Sequence, residues 1–250
     1  MHRPPEGHYV NLELSQADLC YEDEWLIAVN KRAGWYVGAT PWDRYGNVLA
    51  ALDRLLTRRE GVAPLLHLAH QLDRHTSGIL LISRHPQVNK PLLNAFANHR
   101  VEKHYLALCT GEPCEDQYEL HHGHGRSKHG RWRLYPLAEV GVLLPEGGGR
   151  IKLAHTSFSV KQRLGDATLL HAYPHTGRTH QIRLHAAAIG HPLLGDTRYG
   201  GPADWRGHLL AGHLLHAARI RLDHPITNNP LNLSAAPPDW LETLVGVRMD

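Results

Sequence analysis

Strand-like and helix-like stretches mix along the 250 residues of this chain, and the fold class they admit is α/β (α+β). Three observations are compatible with this reading. Two short apolar runs bounded by turn residues, Trp25-Leu26-Ile27-Ala28-Val29 and Ile79-Leu80-Leu81-Ile82, read as buried strands. Apolar residues recur at helical spacing near 47–58, 87–100 and 179–189. The 42% apolar fraction supports a proper core, and the length suits one large domain, alone or with a small extension.

Taken in order, residues 1–18 read as a loose N-terminal arm before a single domain over 19–250. Tyr21 to Glu24 form an acidic turn, the first strand follows, and Asn30 to Trp35 make a basic turn. Asn47 is a plausible N-cap for the helix at 47–58. The segment 87–100 reads as a helix with Leu92, Leu93 and Phe96 inward and Pro91 near its start. Lys103 to Cys109 alternates as a strand. Residues 111–151 are the least informative stretch, rich in Gly, His and Arg, with Gly147-Gly148-Gly149 as a turn and a histidine-rich loop over 121–131. Two strands surround Leu164-Gly165-Asp166. A helix starts at Thr179 and stops at Gly190-His191-Pro192. An apolar segment (209–220), a turn at Asp223-His224-Pro225, a short strand and a terminal helix after Pro237-Pro238 complete the chain.

Composition excludes several classes. No apolar run approaches the length of about 18 residues that a membrane helix needs. Met1 to His8 is polar, carries Pro4 and Pro5 and lacks a signal-peptide core, so the expected compartment is the cytoplasm. Cys20, Cys109 and Cys114 are too few for a disulfide framework. The net charge of +3, the 22 histidines and a pI near 8.8 fit a polyanionic partner, a balance that many proteins without one share. His121-His122-Gly123-His124 invites a metal reading, but no Cys or carboxylate stands at zinc-finger or His-Glu-x-x-His spacing. A solvated histidine loop, with no metal, is the expectation.

Two polar clusters stand out. In His70-Gln71-Leu72-Asp73-Arg74-His75-Thr76-Ser77-Gly78 the carboxylate of Asp73 is flanked by apolar sequence, where it needs a partner. It serves either as a turn cap or as a functional acid. In the second cluster Gly177 and Arg178 precede a helix carrying Thr179, His180 and Arg183 on one side and Ile182, Ala186 and Ile189 on the other. Helix-start N–H groups beside Arg178 make an anion site, and Arg178 or Arg183 offers Asp73 a counter-ion.

Together these clusters resemble the RluA family of pseudouridine synthases. His70 to Gly78 resembles its catalytic motif, His-Arg-Leu-Asp-x-x-Thr-Ser-Gly. His175-Thr176-Gly177-Arg178-Thr179-His180-Gln181-Ile182-Arg183-Leu184-His185, running on through Gly190-His191-Pro192-Leu193-Leu194-Gly195-Asp196 to Tyr199-Gly200, resembles its second signature. Asp23 to Lys31 and Lys103-His104-Tyr105 resemble two shorter segments in the right order, so the likeness spans about residues 19–240. The resemblance implies a mixed, largely antiparallel sheet flanked by helices, with a central cleft. It implies isomerisation of uridine to pseudouridine in ribosomal or transfer RNA, with no cofactor; no membrane partner is expected, and a monomer is.

The resemblance makes Asp73 the catalytic residue, starting glycosidic bond breakage by attack on the sugar or by a route through the base. It sets Tyr105 against the base and Arg183 beside Asp73, and the expected RNA-binding residues are Gln71, Arg74, Lys103, Arg178 and His180. An Arg at about 4 Å would offset a buried carboxylate's penalty by roughly 4 kcal/mol at an effective dielectric of about 20. Flipping the base out costs a few kcal/mol, and stacking on Tyr105 returns about 1–3 kcal/mol. Arg126, Lys128, Arg131 and Arg133 could hold phosphates, or simply face solvent. The chain departs from the motif at Gln71, where the family usually carries Arg, and Arg32 stands where Pro is common. Too few residues precede the first strand for the family's frequent S4 domain, so the opening most resembles the members lacking that domain, some of which act on transfer RNA. A catalytically silent RNA-binding protein on this fold is the alternative that Gln71 supports. A serine or metal hydrolase is weak, since Ser77 lacks a Gly-x-Ser-x-Gly elbow.

Overall fold

The computed structural model describes residues 12–127, 130–145 and 148–246. In chain order the elements are β1 (Leu19–Glu22), β2 (Leu26–Lys31), α1 (Val48–Glu60), β3 (His67–Leu68), β4 (Ser77–Ser83), α2 (Pro86–Ala97), β5 (Glu102–Thr110), β6 (Gln117–Arg126), β7 (Trp132–Tyr135), β8 (Lys152–Arg163), β9 (Ala167–Pro174), α3 (Gln181–Ala188), β10 (Asp204–Trp205), β11 (His208–Leu209), β12 (Leu215–Asp223), β13 (Pro230–Ser234) and α4 (Asp239–Val245). They form two units, one of Met1–Val101 with His216–Asp250, the other of Glu102–Leu215. The α/β class with a largely antiparallel sheet, as the resemblance implied, is what the chain adopts.

In the first unit the strand order is β1-β2-β4-β12, with β13 on β12 and β3 on β4. β12 and β4 run parallel, pairing at His216↔Ser77 and Ala217↔Gly78. All seven residues of β4 are buried, as a continuous apolar run between two neighbours demands. Ile79 and Leu81 pack with Leu26 and Ala28 of β2, Val88 and Leu92 of α2, and Ile220 and Leu222 of β12. Gly78 sits at φ +105°, and a Cβ there would lie 2.2 Å from the Ala217 carbonyl oxygen. Only glycine permits this approach of β4 to β12, which accounts for the Thr-Ser-Gly end of the first motif.

The Asn47 side chain accepts from the Ala50 N–H at 3.1 Å, so the expected N-cap holds. Two expectations for the next helix are corrected. Pro91 lies inside α2, and Leu93 is 40% exposed. The buried stripe runs Val88, Leu92, Phe96 at four-residue spacing, which turns Leu93 away from the core. Leu12 and Leu14, placed by sequence in the loose arm, are buried; residues 1–11 lie outside the described residues.

The second unit's sheet runs β5-β9-β8-β6-β7, antiparallel throughout. One face, through Ala107, Phe158, Leu170 and Ala172, packs on Ile182 and Ala186 of α3. The loop reading of the histidine-rich stretch 121–131 is corrected at its start, because 117–126 is a strand, paired with a second strand over 132–135. Tyr118 and Leu120 do alternate toward the core, but three histidines and two glycines dilute the apolar signal beyond recognition. The helix predicted from Thr179 begins two residues later. His180 takes a left-handed conformation (φ 58°), which bars helix propagation through it.

Candidate active site

Within the first unit the motif loop is tied down on both sides of Asp73. Before it, His70 Nε2 accepts the Leu81 N–H at 2.9 Å, and the His70 ring stacks on Phe96 of α2 at 4.6 Å. After it, the Arg74 carbonyl accepts from Gly34 N–H at 2.9 Å while Arg74 Nε donates to the Gly34 carbonyl at 3.0 Å. The Arg74 guanidinium lies over the Tyr36 ring at 5.0 Å. The Asp73 carbonyl accepts from Thr76 N–H at 3.0 Å, closing the turn into β4, and Ser77 Oγ meets His216 Nδ1 at 2.9 Å. Asp73 is half-buried and Gln71 exposed.

Sequence reasoning missed the role of Lys31. It reads there as part of a basic turn, yet its side chain is fully buried at the end of β2. Its ammonium donates to the carbonyls of Trp35 and Arg74 at 2.9 Å and of Arg32 at 3.2 Å. Burial pulls its pKa down to about 7; the Asp73 carboxylate works against that shift and Arg74 adds to it. Lys31 therefore grips the peptide that follows Arg74, one residue beyond Asp73, and shares the electrostatic environment of Asp73. The one available signal was a cation ending a buried apolar strand.

In the second unit the signature residues form two connected groups. Arg183 and Asp196 make a bidentate pair, Nε to Oδ2 at 2.6 Å and Nη2 to Oδ1 at 2.8 Å, with side chains only 8% and 1% exposed. The Arg183 guanidinium lies 5.0 Å from the Tyr199 ring centre, and the Tyr199 hydroxyl bonds His180 Nδ1 at 2.7 Å. The expectation for Arg183 named Asp73 alone, so Asp196 is a partner that sequence reasoning missed. The turn that brings Asp196 round needs Gly195 at φ +78°, where a Cβ would lie 2.1 Å from the Gly212 carbonyl oxygen.

The second group centres on Gln181. Its Oε1 accepts from Arg178 N–H at 2.9 Å and Thr176 Oγ1 at 2.6 Å, and its Nε2 donates to the His155 carbonyl and Thr156 Oγ1 at 2.8 Å. The helix start expected to present its N–H groups to an anion thus spends the Arg178 N–H on a side chain of this chain. Arg178 Nε donates to the Leu153 carbonyl at 2.8 Å, and burial lowers its pKa. Lys103 Nζ donates to the Thr176 carbonyl at 2.9 Å; burial, then repulsion from Arg178, bring its pKa down to about 8. Tyr105, opposite Ala172 on β5, packs half-buried beside the α3-facing cluster. Arg126 lies over Trp132 and Arg133 over Tyr135 on the β6–β7 hairpin, Arg131 is exposed, and Lys128 and Gly147 lie outside the described residues.

Beneath these groups His185 is fully buried, with Nδ1 2.8 Å from Thr156 Oγ1. Burial, reinforced by His122, pushes its pKa down to about 3. In the unfolded chain a histidine titrates near 6.5. The folded state therefore stays neutral where the unfolded state takes up a proton, so stability is held above about pH 6.5 and lost as pH falls toward 3. Urea titrations should show about 2 kcal/mol lost through this residue between pH 7.5 and 5. His185→Gln should remove that part of the drop; an unchanged drop would assign it elsewhere.

Comparison with known proteins gives the class. A family model described as RNA pseudouridylate synthase matches residues 25–188. The chain belongs to this family, whose members are isomerases acting on RNA. It is 36% identical to RNA pseudouridine synthase 1 of Oryza sativa subsp. japonica over 92% of this chain and 75% of that one. It is 32% identical to tRNA pseudouridine synthase C of Salmonella typhi, over 91% and 88%. The solved structure of human RNA pseudouridylate synthase domain containing 4 shares the fold, with a TM-score of 0.70 at 22% identity over 90% of each chain. Among the described residues no helix is long and apolar enough to cross a membrane.

Proposed function

We propose that this isomerase converts uridine to pseudouridine in transfer or ribosomal RNA, with Asp73 as its catalytic carboxylate and Tyr105 and Arg183 in support. The observation that carries the assignment is the fixed position of Asp73. His70 holds the motif to β4 and α2 on one side, while Arg74 and Lys31 hold it to the 31–36 segment on the other. Preorganised placement of this kind is what a reacting group needs, because a misplacement of about 1 Å can cost about a hundredfold in rate. The reaction breaks the N1–C1′ bond and makes a C5–C1′ bond. The proton on C5 leaves and N1 takes one up, so no redox partner is required. The relative named for transfer RNA, matched over 88% of its length, favours that substrate. Mapping pseudouridines in transfer and ribosomal RNA with and without the gene tests this, and unchanged maps would refute it.

Gln71, Arg74, Lys103, Arg178 and His180 are the RNA-binding set of this proposal. Gln71 is exposed and carries no charge, so Gln71→Arg adds a cation at the motif's open end. The variant should bind substrate RNA more tightly, with the slope of log affinity against log salt steeper by about 0.7–0.9 and kcat unchanged. An unaltered slope would take Gln71 out of the set.

A further inference from the structure

The histidines at 121–124 have no carboxylate at zinc-finger or His-Glu-x-x-His spacing, but the strand pairing brings Glu119, two residues before His121, beside a histidine of the neighbouring strand. In the β6–β8 pairing His121 stands directly opposite His155. The two-residue pleat puts Glu119 on the same face, and its carboxylate contacts His155 Nε2. One donor atom from each of Glu119, His121 and His155 lies within 4.8 Å of the others. The His121 and His155 rings stack at 4.0 Å, and His175 stacks on the other side of His155, also at 4.0 Å. His175 Nε2 is engaged by Ser157 Oγ at 2.6 Å, so it walls the cluster. Tyr118, Leu120 and Phe158, the alternating neighbours, pack toward α3, which puts the cluster on the sheet's other face. Glu119 and His121 are exposed and His155 is half-buried.

We propose that Glu119, His121 and His155 bind one divalent transition ion of the zinc, nickel or copper class, with its remaining positions open to solvent. Imidazole nitrogens with one carboxylate suit these ions, whereas magnesium and calcium take oxygen ligands almost throughout. Ligand atoms about 2.1 Å from a tetrahedral ion lie about 3.4 Å apart, so closure takes movements of about an ångström. The exposed side chains of Glu119 and His121 can make them by rotamer change. The ion ties β6 to β8, so its effect falls on stability and leaves the RNA chemistry alone.

Calorimetric titration of the metal-free protein with zinc chloride tests the site, beside a magnesium chloride titration. One zinc per chain at micromolar affinity is expected, with no magnesium heat and a zinc-dependent rise in unfolding temperature that EDTA reverses. His121→Asn and Glu119→Gln, both at exposed positions, should each weaken zinc binding by about tenfold or more. His171→Gln should leave it unchanged, since His171 pairs with His104 at 2.7 Å outside the cluster. Absence of zinc binding, affinity untouched by either ligand variant, or an equal loss in His171→Gln would overturn the proposal.

Discussion

Asp73→Asn is expected to lower pseudouridine formation by about ten-thousandfold or more, which is about 5 kcal/mol of barrier. The measurement is release of tritium from C5-labelled uridine in substrate RNA, since C5 must lose its hydrogen when it joins the sugar. The substitution keeps the side chain's shape and hydrogen-bonding reach but removes the negative charge and the nucleophilic or basic oxygen. RNA affinity should stay within a few fold, because the loop's anchors at His70, Arg74 and Lys31 do not involve the carboxylate oxygens. Asp73→Glu keeps the charge and moves it outward by about one bond, so a loss of about a hundredfold is expected from misplacement alone. An Asn variant retaining more than a tenth of wild-type turnover would remove Asp73 from the catalytic role. The same variant has a second readout in Lys31, whose ammonium is favoured by the Asp73 charge. With that charge gone, the Lys31 pKa should fall below about 7, and more of the folded protein carries a neutral lysine at neutral pH.

What could be read from the sequence follows how each element is buried. The strand Ser77–Ser83 was legible because every residue of it is buried, leaving an uninterrupted apolar run. Asn47 was legible because capping is a local act between neighbours in sequence. The strand Gln117–Arg126 was not, since its outward residues are Glu119 and His121, its inward ones include His122 and His124, and only Tyr118 and Leu120 mark the core side. Lys31 was missed because its partners are backbone carbonyls at residues 32, 35 and 74, which no side-chain pattern announces. Helix α3 was predicted one turn too generously: the left-handed His180 is held by Tyr199, nineteen residues on, and a helical period does not see that contact. The signature glycines were visible as residues, but their reason, backbone approaches at Ala217 and Gly212, exists only in three dimensions.

The pairing of Arg183 with Asp196 gives the second large effect and separates a structural from a chemical role for this arginine. Both side chains are almost wholly buried and joined by two short charge-assisted hydrogen bonds. Asp196→Asn leaves the guanidinium without that charge and should cost about 3–5 kcal/mol of unfolding free energy, read from urea midpoints. Arg183→Lys keeps the charge but loses the fork, so a smaller destabilisation is expected. Buried ion pairs replaced whole by apolar side chains often lose nothing or gain about 1–4 kcal/mol, so the double variant Arg183→Met with Asp196→Leu should recover most of the stability. If Arg183 serves the RNA reaction as well as the fold, this stable double variant stays at least about a hundredfold down in kcat while its KM moves little. Activity that returns together with stability would make Arg183 a scaffold residue and leave the support of Asp73 to Lys31.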